Sequence, residues 1–175
     1  KFAPRSTRDS SMKWLWLSMI TVILDQLTKK IAEAELLLHQ PVAILPSFNF
    51  TLMYNKGAAF SFLSDAGGWQ RGFFVFLSTA ISIFLFFWLK QITKDEKQKH
   101  NQLLQVAIAL ILGGAIGNLI DRAMTGAVVD FIQLYYSTYY FPAFNIADSA
   151  ITLGAGLLIL DMILESRKHK DDQSQ

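Results

Sequence analysis

The chain has no cysteine, which excludes disulfide bonds, thiol nucleophiles and thiolate metal sites together. Charge is also scarce. Asp, Glu, Lys and Arg make up 17% of the 175 residues, where a soluble domain carries about a quarter. The net charge of +2 is too small to argue for a nucleic acid partner. Three histidines, His39, His100 and His169, are scattered outside the apolar stretches, and no HExxH or other histidine cluster offers a zinc-hydrolase site. Internal repeats and low-complexity tracts are missing too.

What remains is apolar. Hydrophobic residues make up 52% of the chain, with 14 Phe and 4 Trp, a composition that leans toward membrane. The length suits one domain, 1–175, better than two. Four windows reach the roughly 20 mostly apolar residues that a bilayer core requires: about 14–31, 72–89, 103–120 and 143–164. Lys1, Arg5, Arg8 and Lys13 precede the first window. Lys90, Lys94, Lys97 and Lys99 join the second to the third, and Arg167, Lys168 and Lys170 follow the last. These eleven basic residues share one side, against Lys29, Lys30, Lys56, Arg71 and Arg122 on the other. The positive-inside rule then predicts cytoplasmic termini, with a charged cytoplasmic tail over about 166–175. Trp14, Trp16, Trp69 and Trp88 lie near window ends, where interfacial aromatics belong. The polar stretch Lys1 to Asp9 has no initiator Met, and part of it is expected to be non-native. The apolar run after it has no small-residue cleavage site and is expected to stay as an anchor.

Between the first two windows, Phe48, Phe50, Leu52 and Tyr54 alternate with Asn49, Thr51, Met53 and Asn55, the period of a strand with one buried face. The expected fold is an all-α integral membrane protein with four transmembrane helices. A small extracytoplasmic β-sheet forms a cradle between helices 1 and 2.

Ionisable residues inside apolar spans are costly and usually functional. Asp25 lies in the outer half of the first window, and Asn118, Asp121 and Arg122 lie at the outer end of the third. Asn145 and Asp148 open the fourth, and Asp130 sits in the connection before it. The polar groups of separate helices thus gather at one depth. Asn118, Asp121 and Arg122 are spaced i, i+3, i+4 and share a helical face. Gly113, Gly114 and Gly117, with Gly154 and Gly156, allow close packing of the third and fourth helices, which would bring Asp130 near Asp148. Two carboxylates held close share a proton. One can then act as base on a water while the other polarises a carbonyl, with no metal, thiol or histidine.

Five segments in order, VILDQLTK (Val22 to Lys29), YNKGAAFSF (Tyr54 to Phe62), GGAIGNLIDR (Gly113 to Arg122), VVDF (Val128 to Phe131) and FNIADSAI (Phe144 to Ile151), resemble the motif blocks of lipoprotein signal peptidase, or signal peptidase II, a family of bacterial membrane aspartic proteases. The resemblance covers most of the chain. It implies an endopeptidase of the bacterial inner membrane that removes the signal peptide from diacylglyceryl-modified prolipoproteins, cutting before the lipidated cysteine at the outer face. By motif, Asp130 and Asp148 would be the catalytic pair. Asn118, Asp121, Arg122 and Asn145 would support the site and hold the substrate backbone, and Asn55 and Gly57 would line the cradle. Asp25 and Lys29 would brace the first helix. Prolipoproteins and membrane lipids are the implied partners, with cyclic-peptide inhibitors of the globomycin type; no cofactor or metal is implied.

Plainer readings stand beside these. Asp25 also reads as a helix-packing residue, and Asp121 with Arg122 as an ion pair at a helix end. Alone, Asp130 would be a solvated loop residue and Asp148 a helix-capping carboxylate; the motifs reverse both. Asp161 reads as structural. Tyr135, Tyr136, Tyr139, Tyr140 and Phe141 read as an interfacial belt or as a lid. Lys56 with Ser61 and Ser64 hints weakly at a Ser–Lys hydrolase. The competing functions are a proton-coupled carrier, which needs polar groups at successive depths, and a noncatalytic adaptor for lipidated segments. The adaptor would tolerate Asp130→Asn and Asp148→Asn.

Overall fold

The computed structural model describes residues 11–57 and 69–173. Lys1, Arg5, Arg8, Ala58, Ala59, Ser61 and Ser64, with the end of the YNKGAAFSF block, lie outside the described residues. Among the described residues there are four helices, α1 (Ser11–Glu35), α2 (Trp69–Ile92), α3 (Gln102–Met124) and α4 (Ile146–Gln173), and two pairs of strands. These are β1 (Val42–Leu45) and β2 (Phe48–Asn55) before α2, and β3 (Val128–Tyr136) and β4 (Tyr139–Tyr140) between α3 and α4.

Three helical segments, Trp69–Ile92, Gln102–Met124 and Ile146–Lys168, are long and apolar enough to cross a membrane, with mean hydropathies of 2.2, 2.1 and 1.7. Helix α1 has 25 residues, but Asp25, Lys29 and Lys30 hold its composition below that standard. Its side chains divide cleanly. Ser18, Thr21, Asp25 and Lys29, spaced by three or four, are all buried, while Ile20, Ile23, Leu24, Leu27 and Ile31 are exposed. This is an amphipathic helix turned inside out, polar toward its neighbours and apolar outward. Helix α4 runs on through the segment expected to be a tail. Leu164 to Gln173 has no Gly or Pro and is rich in residues that tolerate helix well.

Helix α3 occupies the centre, packed on α1, α2 and α4. Against α2 it forms an apolar core of Leu85, Leu89, Ile92, Leu104, Ile108 and Leu112. Against α1 and α4 it relies on glycine. A Cβ at Gly113 would stand 2.7 Å from Thr21 Cβ and 2.8 Å from Ser18 O, and one at Gly114 would collide with the carbonyl oxygen of Ala147. At the other end, Asn101 caps α3 through the N–H of Leu104 (3.1 Å) and donates to Asp161 Oδ1 (2.8 Å), which gives Asp161 a structural partner. The glycine contacts yield a paired prediction. Gly114→Ala should lower stability, because meeting a backbone carbonyl costs about 1–3 kcal/mol against a propensity gain of at most about 1 kcal/mol. Gly156→Ala, with nothing within 4 Å of the new methyl group, should keep that gain. Thermal unfolding of both in one detergent separates them, and equal shifts of the same sign would refute the close-packing account.

The sheet is larger than expected. Its order is β1-β2-β3-β4, antiparallel throughout, so the connection between α3 and α4 completes the cradle begun by that between α1 and α2. Asn55 pairs with Val128, Met53 with Asp130 and Phe48 with Leu134, across an irregularity between Phe50 and Met53. Asp130 therefore lies in a strand, not a loop. Val128, Val129, Phe131 and Ile132 favour extended backbone, and β2 supplies a distant partner that periodicity does not reveal. The chain reaches β3 through Gly126, whose φ of +82° suits glycine and whose N–H closes on Arg122 O at 3.1 Å. Beyond the site, Tyr135 and Tyr140 stack at 5.5 Å near the β3–β4 hairpin, and Tyr136 and Tyr139 are exposed.

Candidate active site

Buried polar groups converge where α3 ends, α4 begins and β3 crosses them. Helix α4 starts after Pro142 with Asn145 as its cap: the Asp148 N–H donates to Asn145 Oδ1 at 2.8 Å. The next free amide, Ala147 N–H, donates to Asp25 Oδ1 at 2.8 Å, so α1 also holds the start of α4. Capping sets the Asn145 carboxamide with its oxygen toward the helix and its nitrogen toward β3. That nitrogen donates to Asp130 Oδ1 at 2.7 Å, and more weakly to Val129 O and Asn118 Oδ1, each at 3.2 Å.

Asn55 and Asn118 are oriented by the same logic. The Asn55 oxygen accepts from Gly57 N–H (2.9 Å), in a turn where Gly57 has a φ of +97°, and its nitrogen donates to Asp130 Oδ2 at 3.1 Å. The Asn118 oxygen accepts from Lys29 Nζ at 3.0 Å, and its nitrogen donates to Asp148 Oδ1 at 2.7 Å. Three carboxamides are thus anchored by their oxygens and aim N–H groups at two carboxylates.

Those carboxylates differ in setting. Asp130 is 2% exposed, whereas Asp148 is half-buried in the first turn of α4. Burial pushes the Asp130 carboxyl up to about 6, with the Asp148 charge adding to the rise and the hydrogen bonds from Asn55 and Asn145 opposing it. A carboxyl raised toward neutrality beside a partly solvated carboxylate is the kind of asymmetry that acid–base chemistry uses.

A buried ionic cluster lies beneath the pair. Lys29 Nζ contacts Asp25 Oδ2 at 2.7 Å and Asp121 Oδ2 at 2.8 Å. The partner of Asp121 is therefore Lys29 of α1 and not the adjacent Arg122. At i and i+1 two helical side chains point apart, and the Arg122 guanidinium instead lies 5.5 Å over the Phe74 ring. Asp121 is fully satisfied, since Gln26 Nε2 donates to Oδ1 (2.8 Å) and Val129 N–H to Oδ2 (3.1 Å). Two carboxylates of this cluster thus grip the residue immediately before each member of the pair: Asp121 holds Val129, and Asp25 holds Ala147. Gln26, which the sequence reading passed over, also donates to Gly117 O at 3.1 Å. Its i, i+3 spacing to Lys29 was the signal that placed it on the same face.

The structure brings together Asp25, Lys29, Asn55, Asn118, Asp121, Asp130, Asn145 and Asp148 through direct hydrogen bonds, with Gly57 one bond away. Arg122 joins by proximity of charge to Asp148, Asp130 and Asp121.

Known proteins resemble this chain in sequence and in fold. The family model described as signal peptidase (SPase) II matches residues 17–164. A lipoprotein signal peptidase of Acinetobacter baumannii is 55% identical over 162 residues, covering 92% of this chain and 89% of that protein. One from Shewanella piezotolerans is 48% identical over 171 residues, covering 97% and 98%. A solved bacterial membrane enzyme, determined by the in meso method at 1.9 Å resolution, superposes with a TM-score of 0.73 at 36% identity, covering 86% of this chain and 92% of that one. With the match spanning α1 through α4 and every element that carries the polar cluster, the chain belongs to the signal peptidase II family.

Proposed function

We propose that this protein removes the signal peptide from diacylglyceryl-modified prolipoproteins, cutting before the lipidated cysteine, with Asp130 and Asp148 activating water as a dyad. The observation that carries the reading is the pair itself: one buried carboxyl on β3 whose pKa is raised to about 6 and one half-exposed carboxylate on α4, linked through Asn145 and Asn118. Asp148 takes a proton from the attacking water, while protonated Asp130 donates to the scissile carbonyl oxygen. The tetrahedral intermediate collapses as Asp148 returns that proton to the leaving amine of the cysteine, and Asp130 recovers its own. Arg122, near both carboxylates, offsets negative charge and holds the substrate backbone. Asn55 and Gly57 line the cradle.

The protein acts as a single membrane-embedded peptidase domain with four transmembrane helices, α1 being the fourth. Asp25 and Lys29 point inward while Ile20, Ile23, Leu24, Leu27 and Ile31 face outward, with exposed Lys30 near the end of the helix, so lipid would meet leucine and isoleucine rather than Asp25 or Lys29. The distribution of basic residues supports an inner-membrane topology with cytoplasmic termini and the site at the outer face. A carrier is disfavoured because, among the described residues, the buried charges cluster at one end of the helices, apart from Asp161, which is tied to Asn101 at the other.

Purified protein in detergent should convert a diacylglyceryl prolipoprotein to a faster-migrating product and cut the unlipidated precursor at least about tenfold more slowly, since each buried methylene contributes about 0.8 kcal/mol. Equal rates would remove the lipid from recognition. No cleavage of competent lipidated substrate would turn the reading to a carrier or an adaptor.

A further inference from the structure

We propose that Lys29 is a positioning residue for the dyad: its ammonium group holds the Asn118 carboxamide in the orientation that aims an N–H at Asp148. The inference rests on the dyad reading above and gives a specific task to a cation that makes no contact with either catalytic carboxylate among the described residues.

The Asn118 oxygen faces two donors, Lys29 Nζ at 3.0 Å and Asn145 Nδ2 at 3.2 Å, while its nitrogen faces Asp148 Oδ1 at 2.7 Å. Reversing the amide would set its NH2 against an ammonium and a second NH2, and its oxygen against a carboxylate. All three new contacts would be repulsive. Of the two anchors, Lys29 is nearer and charged, so it sets the orientation.

Lys29 is itself immobilised. It is 1% exposed and lies between Asp25 and Asp121. The titratable and charged groups around the Asn118–Asp148 bond come from every packed element: Lys29 and Asp25 on α1, Asp121 and Arg122 on α3, and Asp130 on β3. Lys29 reaches Asp148 through the Asn118 carboxamide, and its charge also acts on Asp130. The oriented amide occupies Asp148 Oδ1 and so fixes how the carboxylate is presented to the attacking water. Losing that orientation lowers turnover rather than substrate affinity.

The test compares Lys29→Met, Asn118→Ala, Asp148→Asn and Gln26→Leu on a lipidated precursor, with kcat and KM measured and folding followed by thermal unfolding. Lys29→Met is expected to lower kcat by about 10- to 100-fold, with KM nearly unchanged. Asn118→Ala should reproduce that split while leaving the Lys29–Asp25–Asp121 cluster in place, so the experiment survives if Lys29→Met does not fold. Gln26→Leu removes a different tie between the same two helices; it should lower the unfolding temperature and leave kcat and KM near their wild-type values. A folded Lys29→Met or Asn118→Ala protein with the wild-type kcat would overturn the proposal, as would an equal loss of kcat in Gln26→Leu. Asp148→Asn separates the two readings: if it is inactive while Lys29→Met is unaffected, the positioning role falls and the dyad stands. Retained activity in Asp148→Asn removes both.

Discussion

Asp130→Asn is expected to lower kcat by about a thousandfold while making the protein more stable above pH 7. The first half follows from chemistry, because an amide at 130 has no carboxyl proton to donate to the scissile carbonyl. The second half follows from linkage. The folded pKa of Asp130, about 6, lies above its ordinary value of 3.8, so the native state binds the proton more tightly than the unfolded chain does. That stabilising contribution is fully present below about pH 4 and is lost as pH rises through about 6, which leaves a buried charge worth up to about 3 kcal/mol against the fold. Asparagine removes the charge but is an imperfect fit. Both Asp130 oxygens accept N–H groups, from Asn145 at 2.7 Å and Asn55 at 3.1 Å, so the new NH2 must oppose one donor at a cost of about 1 kcal/mol. The net gain is about 1–2 kcal/mol at pH 8, vanishing or reversing near pH 4. Asp148→Asn should be comparably inactive but not stabilised, since Asp148 sits in the first turn of α4, where negative charge is favourable. Gel-shift cleavage and unfolding temperatures from pH 4 to 8 check both halves. Asp130→Asn that cuts at a tenth of the wild-type rate or more would exclude Asp130 from the chemistry. An unfolding difference that does not grow with pH would exclude the buried charge.

Several of these features were legible in the residues. The apolar runs of α2 and α3 and the alternation Phe48 to Asn55 announce their elements, because one dominant period governs each. The motif blocks pointed to Asp130 and Asp148, and spacing put Asn118 and Asp121 on one face. What escaped was relational. Asp130 looked like a loop residue because its strand depends on pairing with β2, and no local pattern in VVDF names that partner. Asp121 was assigned to Arg122 by adjacency, whereas helical geometry turns neighbours apart and leaves room for Lys29 from another helix. Helix α1 is a subtler case. Its polar residues count against a membrane span in any sum over composition, yet their spacing of three and four places them on a single buried face. The i, i+3 spacing of Gln26 to Lys29 places it on the buried face, but that spacing does not name the third-helix groups it clamps. The motif blocks named the three asparagines but not their orientation, since a carboxamide acquires its role only when a neighbour fixes which end is oxygen.

The charge count of the buried cluster leads to the second large effect. Asp25, Lys29 and Asp121 sum to −1, and their exposures are 0%, 1% and 7%. Lys29→Met leaves two carboxylates facing a space with no cation and should cost about 3–5 kcal/mol, the scale for breaking a buried pair from one side. Asp121→Asn leaves a neutral Asp25–Lys29 pair, so its cost is the misfit of hydrogen bonds. Gln26 donates to Oδ1 while Lys29 and the Val129 N–H meet Oδ2, so an NH2 at either position opposes at least one donor, for about 1–3 kcal/mol. If the losses were independent, the double variant would lose about 4–8 kcal/mol, the plain sum of the two. It should instead lose less than Lys29→Met alone, because removing the second charge relieves the repulsion that the first substitution created. Unfolding of the four proteins in one detergent measures the coupling, and simple additivity would refute the buried-charge account. The cycle also bears on catalysis. Asp121 accepts the N–H of Val129, directly before Asp130, and Asp25 accepts the N–H of Ala147, directly before Asp148. In the double variant the charges rebalance, but the anchoring of β3 through Val129 is altered and the Lys29 bond to Asn118 is gone. Stability should therefore recover further than cleavage does, separating what Lys29 contributes to the fold from what it contributes to the dyad.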